Sequence, residues 1–199
     1  MQSIQPLSDN CGNTKETAEE CIVVNLLDAI GEDSTREGLR DTPKRVMKAW
    51  KFWTKGYAER PEDVLKVFED GGETYDQMLV VRDISIYSHC EHHLAPFFGT
   101  ATIAYIPNGR IVGLSKLARL ADVFARRLQV QERLTEQIAA ALWEHLQPKG
   151  VGVMLSCRHM CMESRGVQRT GSSTITSSLR GFMRDDAKAR AEFMALVHP

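Results

Sequence analysis

Five consecutive residues, His89-Cys90-Glu91-His92-His93, bring one thiol and three imidazoles into a short stretch of chain. Cys90 and His93 have the C-x-x-H spacing, which lets a thiolate and a ring nitrogen close on one metal ion from a loop. Two ligands do not complete a site. A second Cys/His pair lies far downstream, in His159-Met160-Cys161. If Cys161 joins Cys90 and His93, the metal has three protein ligands and an open fourth position. That is the ligand count of a catalytic zinc rather than a structural one. Zinc so held lowers the pKa of a bound water to about 7. His92 and His159 would flank that water as proton donors and acceptors, because imidazoles titrate near neutral pH. These residues point to metal-assisted hydrolysis of a C=N or C=O bond.

The neighbouring residues admit other roles. Cys157 is a rival ligand, giving a closed structural site of Cys90, His93, Cys157 and Cys161, but it reads better as core packing. Glu91 is either a general base beside the metal or an outer, solvated carboxylate, and His89 is surplus to a three-ligand site. Arg45, Lys48, Lys116, Arg119 and Arg165 come from three separate elements and could hold an anion together, although each taken singly reads as a surface charge. Ser115 is placed to open a helix, where free backbone N–H groups favour anions. No Gly-x-x-x-x-Gly-Lys loop occurs, so a phosphate would have to be held by side chains and a helix start.

The elements that must position these residues follow from periodicity. Residues 1–13 read as a loose polar tail, and 14–77 as an N-terminal helical region with a connection to the main domain at 78–199. Ala18, Cys21, Ile22, Leu26, Leu27 and Ile30 recur at helical spacing, with Gly31 to stop the helix. Thr42-Pro43 opens a second helix striped by Val46, Met47, Trp50 and Trp53, on which Arg45 and Lys48 share a face. Ile84 and Ile86 alternate with polar neighbours in a strand that runs into the Cys/His cluster. A second strand, Thr100 to Ile106, closes on the turn Pro107-Asn108-Gly109. Two helices follow without a strand between them, the first capped by Ser115. A strand over Val151 to Met162 then sends its odd positions, including His159 and Cys161, to one side. One more strand around Thr174-Ile175-Thr176 and a last short helix complete the chain. The class is α+β: an antiparallel sheet in the order β-β-α-α-β-β, helices on one face, and an N-terminal helical extension.

Composition narrows the function classes. Hydrophobic residues make up 43% and charged residues 26% of the 199 positions, as in an ordinary globular protein. A formal net charge of −1 provides no field to gather nucleic acid or an acidic membrane surface. No run approaches membrane-spanning length. The five cysteines are odd in number and scattered, which suits reduced thiols in a cytoplasmic protein better than a disulfide framework.

Several ordered motifs then coincide: Cys90-Glu-His-His93, Gly113-Leu-Ser-Lys-Leu-Ala-Arg119, Gln129-Val-Gln-Glu-Arg-Leu-Thr135, His159-Met-Cys161 with Arg165-Gly166, and Thr174-Ile-Thr-Ser177. Together they resemble the GTP cyclohydrolase I family, from about Thr42 to the C-terminus. The resemblance implies a tunnelling fold (T-fold) and a toroidal homodecamer with active sites between subunits. It implies conversion of GTP and water to 7,8-dihydroneopterin triphosphate and formate, the first step of folate and pterin synthesis. By motif, Cys90, His93 and Cys161 would bind zinc, and His92 and His159 would move protons. Gln131 and Glu132 would read the guanine edge. Arg45, Lys48, Lys116, Arg119 and Arg165 would hold the triphosphate, with Ser115 supporting the nucleotide. The rivals are another enzyme of the same fold, such as a pterin synthase or a nitrile reductase, and a non-catalytic zinc module.

Overall fold

The strand-forming stretches on either side of the Cys/His cluster pair with one another. The computed structural model describes residues 17–69 and 72–197, so the expected tail at 1–13, with Cys11, lies outside the described residues. These residues divide into two units, one through Trp53 and one from Thr54.

In the second unit β2 (Leu79–Cys90) runs antiparallel to β3 (Pro96–Ile106), and β6 (Gly150–His159) runs antiparallel to β3 on its other side. β7 (Thr174–Gly181) adds to β6, and the two-residue β5 (Leu128–Gln129) adds to β2, so the sheet order is β5-β2-β3-β6-β7. The register decides where the chemistry falls. His89 pairs with Pro96 and Phe97 pairs with His159, so β2 and β6 both end beside the start of β3. Strands far apart in sequence thereby deliver their last side chains to one edge of the sheet.

α4 (Leu114–Ala125) and α5 (Gln131–Leu146) cover one face. Leu117, Leu120, Leu134, Ile138 and Leu142 pack on Ile103, Tyr105, Val151, Val153 and Leu155, all without solvent exposure. Each such aliphatic side chain contributes about 1.5–3 kcal/mol on full burial. The expectation of helices on one face only is corrected. α7 (Phe182–Asp185) and α8 (Ala187–Val197) bring Met183 and Phe193 onto Ala104 and Met154, on the other face. Small residues make room for them: a Cβ on Gly152 would lie 2.9 Å from the Met183 sulfur and 3.1 Å from the Phe193 ring.

The order of long elements is the expected β-β-α-α-β-β, with four departures in detail. A strand, β5, does lie between the helices, parallel to the end of β2. α3 (Pro61–Val64) and β1 (Val67–Phe68) occupy the expected connection, and β1 pairs with β4 (Ile111–Val112). The cap of α4 is Gly113, not Ser115, which sits inside the first turn. β6 stops at His159, and Met160–Glu163 forms a helical turn, α6. Elements this short carry no readable period.

In the first unit α1 (Ala18–Ala29) starts on a capping box: Glu20 N–H donates to the Thr17 hydroxyl (3.3 Å) and Thr17 N–H to the Glu20 carboxylate (2.8 Å). Val23 and Val24 are its buried residues, whereas Ile22, Leu26 and Ile30 of the expected stripe are exposed. Cys21 is half-buried. α2 (Thr42–Trp53) half-buries Val46, Met47, Trp50 and Trp53 and exposes Arg45 and Lys48. No described helix is long and apolar enough to cross a membrane.

Candidate metal centre

Cys90 is the last residue of β2, and the chain reverses immediately after it. Cys90 N–H donates to Ala95 O and Leu94 N–H donates to Cys90 O, both at 2.8 Å. Leu94 takes a positive φ of 54° to close this turn, a conformation that costs a non-glycine residue roughly 1 kcal/mol or more. Glu91 N–H donates to Gln129 O (3.0 Å), tying the turn to β5. The turn presents His92 and His93, whose Nδ1 atoms lie 3.7 Å and 4.0 Å from the Cys90 sulfur.

Cys161 arrives from the other side on α6. The donor atoms of Cys90, His93 and Cys161 all lie within 4.8 Å of one another. Two thiols and an imidazole are ligands that zinc accepts readily, so the group fits that ion. Burial pushes the Cys161 thiol up, and the adjacent Cys90 thiol pushes it further in the same direction. Cys157 is not in the group. It is 1% exposed within the main core, and burial pushes its thiol up to about 12. A four-ligand site including Cys157 has no support in this geometry.

His159 closes β6 with its ring stacked on Phe97, 4.8 Å between centroids and 11° from parallel. Its Nε2 lies 2.8 Å from Gln131 Oε1. Burial lowers the His159 pKa, and the Glu132 carboxylate partly offsets this. Arg165 Nη1 lies 2.8 Å from His93 Nε2. The other ring nitrogen of His93, Nδ1, is the one that faces the Cys90 sulfur.

The structure thus gathers Cys90, His92, His93, Cys161 and Arg165 at one edge, with His159 and Gln131 paired and Glu132 near enough to act on His159. Glu132 is exposed on the first turn of α5. Ser115, Lys116 and Arg119 occupy the start of α4, exposed or half-buried. Arg45 and Lys48 belong to the first unit. The cavity lined by Phe124, Gln137, Ala141 and His145 includes none of these residues.

Two features escaped sequence reasoning. Arg133 forms a two-pronged bond to Glu91, Nη1 to Oε2 at 2.7 Å and Nη2 to Oε1 at 2.8 Å, and this holds the Glu91 carboxyl below its usual range. Their 42-residue separation leaves no pattern to read. Gln131, expected to face a ligand, is 1% exposed. The hydroxyls of Thr135, one helical turn along α5, and Thr176, on β7, were the available signal.

Residues 19–198 match the sequence model of the family described as GTP cyclohydrolase I. The GTP cyclohydrolase 1 of Nitrosospira multiformis is 63% identical over 172 residues, which is 86% of this chain and 90% of that protein. That of Janthinobacterium sp. (strain Marseille) is 64% identical over 172 residues, 86% and 87% of the two chains. That of Campylobacter jejuni subsp. jejuni is 53% identical over 182 residues, 90% and 94%. The apo crystal structure of the archaeosine synthase QueF-Like is similar to 52% of this chain and 93% of its own, at 15% identity and a TM-score of 0.42.

Proposed function

The chain belongs to the GTP cyclohydrolase I family, and we propose that it uses water to open the five-membered ring of GTP at C8, yielding 7,8-dihydroneopterin triphosphate and formate. The observation that carries this reading is the meeting of Cys90, His93 and Cys161 within 4.8 Å, in a chain of this family. Those three residues would hold zinc, which when bound supplies Lewis acidity toward water at neutral pH.

The chain's own residues do the rest. His92, 3.7 Å from the Cys90 sulfur, and His159, stacked on Phe97, give and take protons as the ring opens and formate leaves. Glu132 accepts hydrogen bonds from guanine N1–H and the 2-amino group, two donors that a carboxylate matches. Arg165, Lys116 and Arg119, with Arg45 and Lys48, neutralise the triphosphate. Ser115 supports the nucleotide at the start of α4, where unbonded backbone N–H groups favour anions. The enzyme acts as a cytoplasmic homodecamer of toroidal form at the first step of folate and pterin synthesis.

The test is incubation of the zinc-replete protein with GTP, following pteridine absorbance and formate together. One formate per pteridine is expected. Pteridine absorbance without formate, or neither, contradicts the reading. A His159→Ala variant with unaltered turnover removes the proton-transfer role given to that ring.

A further inference from the structure

We propose that Gln131 is a positioning residue for His159: its amide holds the ring as the Nε2–H tautomer and leaves Nδ1 as the nitrogen that exchanges protons with substrate. The catalytic consequence rests on the proposed activity; the tautomer itself does not.

The amide can point only one way. Gln131 Nε2 lies 2.9 Å from Thr174 O, 3.0 Å from Thr176 Oγ1 and 3.3 Å from Leu155 O. Two of these partners are backbone carbonyls, which accept and never donate. The NH₂ end must therefore face them, because a flipped amide would set its carbonyl oxygen against two others. The hydroxyls agree. Thr135 Oγ1 donates to Gln131 O at 2.8 Å. Its hydrogen is thereby used, so across the 2.6 Å contact between Thr135 and Thr176 the hydroxyl of Thr176 is the donor. Thr176 Oγ1 then offers its lone pair to the Gln131 N–H. The two hydroxyl hydrogens in this network of α5, β6 and β7 each have one consistent place, and the two amide hydrogens are shared among three acceptors.

Oε1 of Gln131 is consequently the atom facing His159 Nε2 at 2.8 Å. It carries only lone pairs, so Nε2 bears the hydrogen, and in the neutral ring Nδ1 is the unprotonated nitrogen. The stacked Phe97 supports the face of the ring. Gln131 is 1% exposed and its side-chain nitrogen and oxygen are both engaged within the described chain. So buried, it leaves the guanine edge to Glu132, on the exposed side of the same turn.

The test uses the zinc-replete full chain labelled with ¹⁵N in histidine, at a pH where His159 is neutral. Its ring nitrogens are assigned by their loss in His159→Asn. Nε2 protonated and Nδ1 bare is the expected wild-type spectrum; Nδ1 protonated overturns the proposal with no variant needed. Gln131→Met, similar in length, is expected to show both tautomers and to lose about 10- to 100-fold in kcat, with KM for GTP within about twofold of wild type. A rise in KM of that size with kcat kept would return Gln131 to substrate reading and overturn the proposal. A wild-type chain inert toward GTP would sink the proposed activity, and the tautomer would still be decided by its own spectrum.

Discussion

Replacing Glu91 by Gln separates two roles that differ by orders of magnitude. Glu91 sits between Cys90 and His92, where a carboxylate invites assignment as a general base. A positioned base contributes roughly 10²- to 10⁴-fold. The structure instead uses it as a clamp, since both its oxygens bind the Arg133 guanidinium, at 2.7 and 2.8 Å. That bond links the turn bearing His92 and His93 to the first turn of α5, which carries Gln131 and Glu132. It also holds the carboxyl below its usual range, and a base that weak is poorly matched to neutral pH. The side chains are 32% and 44% exposed, so water screens the pair, and the clamp's effect on the site should stay below about fivefold despite its two-pronged geometry. The assay is the initial rate of formate release at saturating GTP and zinc, alongside zinc affinity by chelator competition. Glu91→Gln and Arg133→Gln should each weaken zinc binding by that modest factor and leave kcat within it. The double variant should be no worse than either single one, as expected for two groups that act through one contact. A roughly 100-fold fall in kcat for Glu91→Gln, with Arg133→Gln near wild type, would refute the clamp and make Glu91 a base.

Three further outcomes are expected. Cys157→Ala should lose about 1 kcal/mol of stability from its small core void yet bind one zinc per chain as before; loss of zinc would restore the four-ligand site. Gly99→Ala should cost about 1–3 kcal/mol by overpacking, because its Cβ would fall 2.0 Å from Ser156 O and 2.7 Å from Cys157 Cα, in the strand that carries His159; an unchanged denaturation midpoint would contradict that close approach. Asp186 accepts from the backbone N–H groups of Lys188 (2.7 Å) and Ala189 (2.8 Å) at the start of α8, and these bonds hold its carboxyl below the ordinary value of 3.8. Its stabilisation is therefore fully present above that value and is lost as pH falls through the depressed one. Asp186→Ala should lower Tm by about 3 °C at pH 7, and the difference should vanish in strong acid; a difference that persists there would assign it to something other than the charged cap.

The two halves of the candidate metal centre were legible because Cys and His are informative residue types and lie where strand-forming stretches end. Alternation placed Val153, Leu155 and Cys157 correctly toward the main core and brought His159 to the strand end. It failed for Cys161, which arrives on a helical turn whose four residues have no period of their own. Gln131 looked exposed because the first turn of a helix usually is; only the pairing of β7 with β6 reveals that Thr174 and Thr176 lie over it. In α1 the spacing of apolar residues was helical, but spacing alone does not choose between Val23-Val24 and the face of Ile22, Leu26 and Ile30. The second helical layer was missed because what admits it is an absence of side chain, at Gly152.

X-ray absorption at the zinc edge, on the full chain loaded with one equivalent of metal, tests most directly whether two distant stretches of chain share one ion. Two sulfurs at about 2.3 Å with nitrogen or oxygen neighbours at about 2.0–2.1 Å are expected, falling to one sulfur in Cys161→Ala. Three sulfurs, or none, or a spectrum indifferent to Cys161, would contradict it.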